Sequence, residues 1–331
     1  MPWRPSATLR LLVLCILLAT AMTLLNPGRF LTARNLASMG FQFPELGLFA
    51  LAVSLSLITG GIDLSVVSTA NLAGILAALV LTRMIPDTAG SGQVLGWVLA
   101  AGGLALIIGA GGGLVNGLLI TRLGVTPILA TLGTMQLYLG LALVITRGPA
   151  VSGCPELFLK LGAGTLLGIP VPLLVFAIAA LGVAAVLGNT VFGLELHLIG
   201  TSEKAARFAG VPVDRAIVRT YVLSGLIASL AGLLMVARTN SAKADYGASY
   251  LLQAVLVAVL GGVDPRGGSG TVRGVVLALL SLQFVSSGFS LLRWNQFTKE
   301  AAWGGLLLLV ITAPALLRLS SRRRPSTDSR G

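Results

Sequence analysis

The sequence has few charged residues and few of the side chains that carry enzymatic chemistry. Only 10% of its 331 residues are Asp, Glu, Lys or Arg, whereas soluble domains carry about 25%, which argues against a water-soluble fold. It contains a single histidine, His197, and two cysteines, Cys15 and Cys154. One histidine excludes an HExxH zinc site and gives no Ser–His or Cys–His nucleophile. We therefore predict no catalytic residue, no metal site and no disulfide.

The sequence also lacks a phosphate-binding loop. In a Walker A loop a lysine directly follows a glycine, and none of the four lysines does so here. Any ATP that the protein uses must therefore bind to another chain, so we expect no cofactor on this one. The net charge of +12 would suit nucleic acid, but the basic residues are spread between apolar segments. We predict a membrane partner and no nucleic acid.

Long apolar runs fill most of the chain. Hydrophobic residues make up 55%, and the mean hydropathy is +0.94. About 20 apolar residues cross the ~30 Å hydrocarbon core as a helix, and the runs are continuous rather than alternating, which excludes a barrel. We predict an all-α polytopic transmembrane helical bundle forming one domain over residues 1–331. Its ten segments, some of them interrupted, are expected at about 9–26, 45–60, 64–83, 94–121, 125–146, 166–188, 216–238, 249–262, 271–292 and 300–317.

One long polar interruption, at residues 189–215, separates the apolar runs. Thr201 or Ser202 is a suitable N-cap, and Glu203 in the first turn favours the helix dipole. Gly210 suits the left-handed position that ends a helix, and Pro212 prevents its continuation. The pattern predicts a helix of about two turns, too short to be stable alone and therefore docked against the protein.

The distribution of basic residues predicts the orientation. With the N-terminus inside, most of the 23 Lys and Arg residues fall on the cytoplasmic side, as the positive-inside rule requires. The loop at 189–215, the tail at 318–331 and both termini are then cytoplasmic. The tail contains three consecutive arginines, which favour anionic lipid.

Four ordered motifs resemble one transporter family. They are residues 59–65, 126–134, 200–213 and 259–270, and within them Gly-Gly-Ile-Asp at 60–63 is echoed by Gly-Gly-Val-Asp at 261–264. Over about residues 35–317 the chain resembles the permease subunits of bacterial ABC importers of the ribose type, which take up simple sugars or autoinducer 2. The segment at 200–213 is similar to the coupling loop of that family.

The resemblance implies a division of labour between several chains. A second permease subunit, identical or related, completes the pathway, a separate ATP-binding subunit hydrolyses ATP with magnesium, and a periplasmic or lipid-anchored protein delivers the solute. The location implied is the bacterial inner membrane, crossed several times. The residues expected to couple to the ATPase are Glu203, Ala205, Ala206, Arg207, Phe208 and Gly210, with Phe208 inserting into a groove on the ATPase.

Polar side chains within apolar segments are candidates for the translocation pathway. Asp63 is the only acid between residues 46 and 86, and ionisable groups near a membrane are often functional. It is equally suited to capping the helix that begins near Leu64. The candidate set is Asn71, Asn116, Thr131, Thr134, Gln136, Gln253 and Gln283, from which we select Asn71, Thr134 and Gln136 together with Asp63.

Other functions remain open at this stage. A permease for branched-chain amino acids or nucleosides would share the architecture. An ion-coupled secondary transporter would need paired ionisable residues near the middle of the membrane, and the sequence offers almost none. A membrane enzyme would need a catalytic constellation, which the sequence does not supply. The main hypothesis is the permease subunit of an ATP-driven importer for a sugar or sugar-like solute.

Overall fold

A computed structural model shows that the protein is a helical bundle, which over the described residues also contains two small antiparallel strand pairs. The structure describes residues 7–86, 88–295, 297–299, 301–306, 308 and 312. The helices are α1 Ala7–Leu25, α2 Ala33–Ile58, α3 Val66–Arg83, α4 Ser91–Thr121, α5 Pro127–Thr146, α6 Glu156–Ala163, α7 Val171–Asn189, α8 Val191–Thr201, α9 Glu203–Phe208, α10 Val213–Thr239, α11 Ala248–Leu260 and α12 Val272–Leu291. The two-residue strands are β1 Val151–Ser152, β2 Thr165–Leu166, β3 Ile169–Pro170 and β4 Ser241–Ala242.

Eight of the described helices are long and apolar enough to cross a membrane, namely α1 to α5, α7, α10 and α12. This confirms the prediction of a polytopic helical bundle. Helix α11, with 13 residues, is short for a span, as its sequence predicted. Most of the tenth predicted segment, at 300–317, and the basic tail at 318–331 lie outside the described residues.

The loops gather at two ends of the bundle. At one end the α2–α3 loop meets the loop after α11, where the Gly268 N–H donates to the Ile58 carbonyl at 2.8 Å. At the other end β1 pairs with β4, and the Asn240 amide oxygen accepts from the Cys154 N–H at 3.0 Å. Helix α9 lies at the first end, which we call the α9 end.

The core is built around α2, α3, α4 and α10. Gly109 and Gly113 of α4 face α10 so closely that a Cβ on Gly113 would overlap the Tyr221 carbonyl, and one on Gly109 would overlap the Gly225 carbonyl. Small residues permit this backbone approach in membrane helices. The packing fixes α10 against the centre of the bundle.

Two features of the helices differ from the sequence prediction. Helix α2 begins at Ala33 rather than near residue 45, and it contains Pro44 in its interior. The polar interruption at 189–215 holds two helices, since α8 precedes the predicted short helix α9. Thr190 starts α8, because its hydroxyl accepts from the Gly193 N–H at 3.1 Å.

Candidate functional site

Helix α9 begins and ends where the sequence predicts. The Ser202 hydroxyl accepts from the Ala205 N–H at 3.3 Å, which satisfies one of the free donors of the first turn. Gly210 has φ +82°, and the Val211 N–H donates to the Ala206 carbonyl at 3.0 Å. This is the Schellman arrangement that closes a helix.

The outer surface of α9 carries an unusually exposed aromatic residue. Phe208 is 94% exposed, and Ala205 and Arg207 are exposed beside it. Ala206 points the other way and is buried in the core of this chain, at 4% exposure. The expectation that Ala206 contacts a partner is therefore corrected, because this side chain holds α9 on the bundle instead.

Arg207 links α9 to α10. Its guanidinium donates to the Glu203 carboxylate at 2.9 Å and to the Asp214 carboxylate at 2.6 Å. Hydrogen bonds from Arg207 to Asp214 and Glu203 raise the pKa of Arg207. All three side chains are about half exposed, so the interaction adds little stability, but it fixes the position of α9 relative to α10.

Gly200, near the end of α8, packs closely against the end of α2 and the loop after α11. A Cβ at Gly200 would overlap the Ile58 carbonyl and the Gly268 N–H. Ile58 ends α2 just before the loop that carries the first Gly-Gly-x-Asp sequence, and Gly268 lies in the loop that carries the second. In each loop the aspartate accepts from the backbone N–H two residues later, Asp63 from Ser65 at 3.0 Å and Asp264 from Arg266 at 2.9 Å.

The two loops have similar sequences, but the left-handed glycine occupies a different position in each. Gly60 takes the positive φ in the first loop, at +81°, whereas Gly262 takes it in the second, at +86°. The left-handed glycine is thus the first of the pair in one loop and the second in the other. Both loops therefore end a helix with a left-handed glycine and then form an aspartate turn. The left-handed glycine lies three residues before the aspartate in the first loop and two residues before it in the second.

A cavity lies between α9 and the bundle. It has a volume of about 420 Å³ and is lined in part by Glu203, Arg207, Pro127 and Tyr221. Tyr221 is 1% exposed, and its hydroxyl has no hydrogen-bond partner within the described residues. Gly61 closes the wall beside this hydroxyl, since a Cβ on Gly61 would lie 2.6 Å from it.

Asp63 and Thr134 belong to one buried hydrogen-bond network. The Asp63 carboxylate accepts from the Ser65 hydroxyl at 2.7 Å and from the Ser224 hydroxyl at 3.0 Å. Asn116 donates to the Ser65 hydroxyl at 2.8 Å, and Thr134 donates to the Asn116 amide oxygen at 2.6 Å. The network thus joins the α2–α3 loop to α4, α5 and α10.

Burial and hydrogen bonding have opposite effects on the pKa of Asp63. The carboxyl group is 2% exposed, and this burial raises the pKa of Asp63, while the hydrogen bonds from Ser65 and Ser224 act to lower it. Both carboxylate oxygens accept from donors of this chain. The bond to the Ser65 N–H also provides the turn that leads into α3, as the capping interpretation expected.

Asn71 and Gln136 lie apart from that network. The Asn71 amide donates to the Ala244 carbonyl at 2.8 Å and to the Tyr246 carbonyl at 2.9 Å, which ties α3 to the segment before α11. Gln136 is exposed on α5 between Leu132 and Leu137. The four pathway candidates are therefore not assembled into one site within a single chain, and their role in the pathway stays a prediction.

Sequence reasoning did not identify Ser65, Ser224, Tyr221 or Gly200 as functional. Serine is common in the apolar segments, and nothing in the pattern distinguishes Ser224 from Ser229, five residues later on α10. The glycine at 200 was part of a recognised motif, but its contact with both loops required the fold.

Comparison with known proteins gives a family assignment. Residues 35–312 match the family described as "Branched-chain amino acid transport system / permease component". The chain is 33% identical over 298 residues to the autoinducer 2 import system permease protein LsrD of Yersinia enterocolitica, covering 88% of this chain and 87% of that protein. It is 32% identical to LsrD of Yersinia pseudotuberculosis, covering 88% and 86%. No solved structure matches the chain.

The match extends over most of the described bundle and includes all four motifs. Helix α1 precedes the matched residues, and α2 begins two residues before them. The other apolar helices, the polar segment with its exposed short helix, and the two aspartate turns all lie within the matched residues. The protein is a multi-pass membrane permease and belongs to the family of branched-chain amino acid transport system permease components.

Proposed function

We propose that this chain is the permease subunit of an ATP-driven importer and that α9 is its docking element for a separate ATP-binding subunit. The observation that carries the proposal is Phe208, a large aromatic side chain 94% exposed on a short helix. Buried aromatic anchors are frequent hot spots at protein interfaces. In this arrangement Phe208 and Ala205 enter a groove on the ATPase, with Glu203 and Arg207 at its rim.

The same contacts provide a route for force. Arg207 joins α9 to Asp214 in the first turn of α10. Gly200 allows the end of α8 to pack closely against Ile58 and Gly268, beside the two loops that contain the Gly-Gly-x-Asp sequences. Closure of two ATPase subunits, with ATP and magnesium bound to them, would displace α9 and thereby move α10 and these loops. Gly210 fixes the end of α9 so that the helix moves as one unit.

A sugar-like solute is favoured over the alternatives. The relatives of 32–33% identity are autoinducer 2 import permeases, which favours autoinducer 2, a pentose or a hexose over an amino acid or a nucleoside. A second permease subunit, identical or related, would complete the pathway, and Gln136 on the exposed face of α5 would face it. A solute-binding protein would deliver the cargo at the end opposite α9, in the bacterial inner membrane with both termini cytoplasmic.

The test is the substitution Phe208→Asp. A hot-spot aromatic contributes about 2 kcal/mol or more, so the charge should weaken association with the ATPase subunit roughly thirtyfold or more. Co-purification of the two subunits from detergent and uptake of labelled D-ribose and autoinducer 2 in a deletion strain both measure this loss. The thermal unfolding temperature of the variant should stay that of wild type, because Phe208 contacts water.

A matched control is Leu167→Asp. Leu167 is 95% exposed in the β2–β3 turn at the end opposite α9, so this variant should bind the ATPase subunit like wild type. If Phe208→Asp retained wild-type association and uptake, α9 would not be the docking element. Uptake by the purified chain without any ATPase would contradict the ATP-driven mechanism itself.

A further inference from the structure

A second cavity, separate from the Asp63 network, lies at the end opposite α9. It occupies about 180 Å³ between α2, α11, α12 and the helical residues 301–306. A water molecule takes about 30 Å³ of liquid volume, so the space suits several waters or one small solute. Its lining is mainly polar and includes Gln42, Tyr250, Gln253, Gln283, Lys299 and Trp303.

The cavity contains an unsatisfied buried amide. Gln283 is 8% exposed, and its amide nitrogen has no hydrogen-bond partner among the described residues. Buried polar groups in proteins are nearly always paired. The nitrogen itself has almost no accessible surface, so the Gln283 side chain must turn toward the adjacent cavity to donate to a bound molecule. That donation would give the amide the partner that it lacks.

The chemistry of the lining favours a neutral molecule with several hydroxyl groups. The three glutamine amides each offer donors and an acceptor, and a hydroxyl group both donates and accepts. Beside the cavity, the Glu45 carboxylate is paired with Arg238. The Lys299 ammonium donates one hydrogen bond to the Ser290 hydroxyl at 2.8 Å and keeps two further donors for solute oxygens. The Trp303 ring adds an apolar surface for the C–H face of a sugar ring.

We propose that this cavity binds a neutral polyhydroxylated solute within a single subunit, through the amides of Gln253 and Gln283. The proposal deepens the proposed function, on which it rests for the class of solute. It adds a site at which solute is held before it reaches the pathway between subunits. Ribose binding is measured without an ATPase. A loss of binding therefore contradicts this site alone, whereas a loss of ATP-driven uptake tests the proposed function.

The experiment is equilibrium binding of D-ribose to the full-length chain, purified in detergent, by isothermal titration calorimetry. Gln283→Leu removes the amide but keeps an apolar side chain of similar size, and it should weaken ribose binding about tenfold or more. Gln253→Leu tests the same site from α11. This residue is only half-buried, so the second variant keeps the test valid if the first fails to fold.

Ser281→Ala is the matched control. Ser281 is buried on the same helix, and within the described residues its hydroxyl donates to the Leu277 carbonyl, so the variant should bind ribose like wild type. The proposal is overturned if ribose does not bind wild type, or binds both glutamine variants as tightly. It is also overturned if only D-ribose 5-phosphate binds and Lys299→Gln abolishes that binding, because the site would then recognise an anion.

Discussion

Hydrogen-bond pairing divides the buried polar residues into two groups. Within the described residues, Asn71, Tyr221 and Gln283 each leave one side-chain atom without a partner, and each lines a cavity. Asp63 and Thr134, in contrast, have their polar atoms engaged inside the chain. The unpaired atoms are covered by this chain, so they gain a partner only if their side chains turn into the cavities beside them. The second group already holds helices together.

Removal of the Asp63 carboxylate should therefore destabilise the fold. Asp63→Ala leaves the Ser65 N–H and the hydroxyls of Ser65 and Ser224 without an acceptor, and a buried donor left without a partner costs about 1–3 kcal/mol. We expect a loss of about 3 kcal/mol or more in the free energy of unfolding, seen as a lower unfolding temperature in detergent.

Asp264→Ala provides the comparison for Asp63→Ala. Asp264 makes the equivalent turn bond to Arg266 but is exposed, so water replaces that bond and the cost should be about 1 kcal/mol or less. Equal destabilisation by the two substitutions would show that the turn, and not the buried network, is the feature that matters. In that case Asp63 would have no special role in joining helices.

At the residue level, the sequence predicts which segments matter better than which way a side chain points. It identifies Phe208 as a candidate anchor, but it does not separate Ala205 from Ala206, because a helix of six residues leaves its rotation on the bundle undetermined. Thr134 and Gln136 are two positions apart on α5 and so point to nearly opposite faces. Their separate environments followed only from the packing of α5 on α3 and α4.

Among the elements, hydropathy predicts the long spans well and their ends poorly. Helix α2 starts twelve residues before its predicted boundary, because Arg34, Gln42 and Pro44 interrupt the apolar pattern that marks a span. A proline within a membrane helix is tolerated when neighbouring groups compensate for the lost hydrogen bond. Helix α8 was missed since its 11 residues are too few to stand out as a span.

The contact between α4 and α10 depends on glycine at particular positions. Gly113→Val would place side-chain atoms inside the Tyr221 backbone and separate the two helices, and overpacking of this kind costs about 1–3 kcal/mol or more. We expect a clear fall in unfolding temperature in detergent. Gly111→Val on the same helix is the control, because its Cβ would meet no atom of a neighbouring described segment within 4 Å.

An effect of Gly111→Val equal to that of Gly113→Val would contradict this account. It would mean that valine weakens α4 through helix propensity or through contact with lipid, and not through loss of the close approach to α10. The two variants share the same helix and the same added volume. Their difference therefore isolates helix packing.

For the whole molecule, α10 is the element that connects the two ends. Its 27 residues span about 40 Å at 1.5 Å per residue. Near its start, Asp214 bonds to Arg207 of α9. Further along, Ser224 donates to Asp63, and in the last turn Arg238 pairs with Glu45. A displacement of α9 thus has a continuous packed route to the region beside the polar cavity.

The ion pair at the far end of this route provides the last prediction. Glu45 is 1% exposed, and the Arg238 guanidinium donates to it with two nitrogens, one of them at 2.8 Å. Arg238→Leu leaves a buried carboxylate without its counter-charge, which should cost about 3–5 kcal/mol. The double variant Glu45→Leu/Arg238→Leu removes both charges and should recover most of that stability in thermal unfolding.

The double variant also separates stability from transmission. If the pair only compensates for two buried charges, the double variant should transport like wild type. If α10 acts on α2 through this pair, the double variant should recover its stability, while its ATP-driven uptake stays reduced several-fold. We expect the second result, because Arg238 of α10 bonds to Glu45 of α2. The Tyr250 hydroxyl of α11 donates to the same carboxylate at 3.4 Å, so three helices meet at this pair. Wild-type uptake by a stable double variant would confine the route to the α9 end.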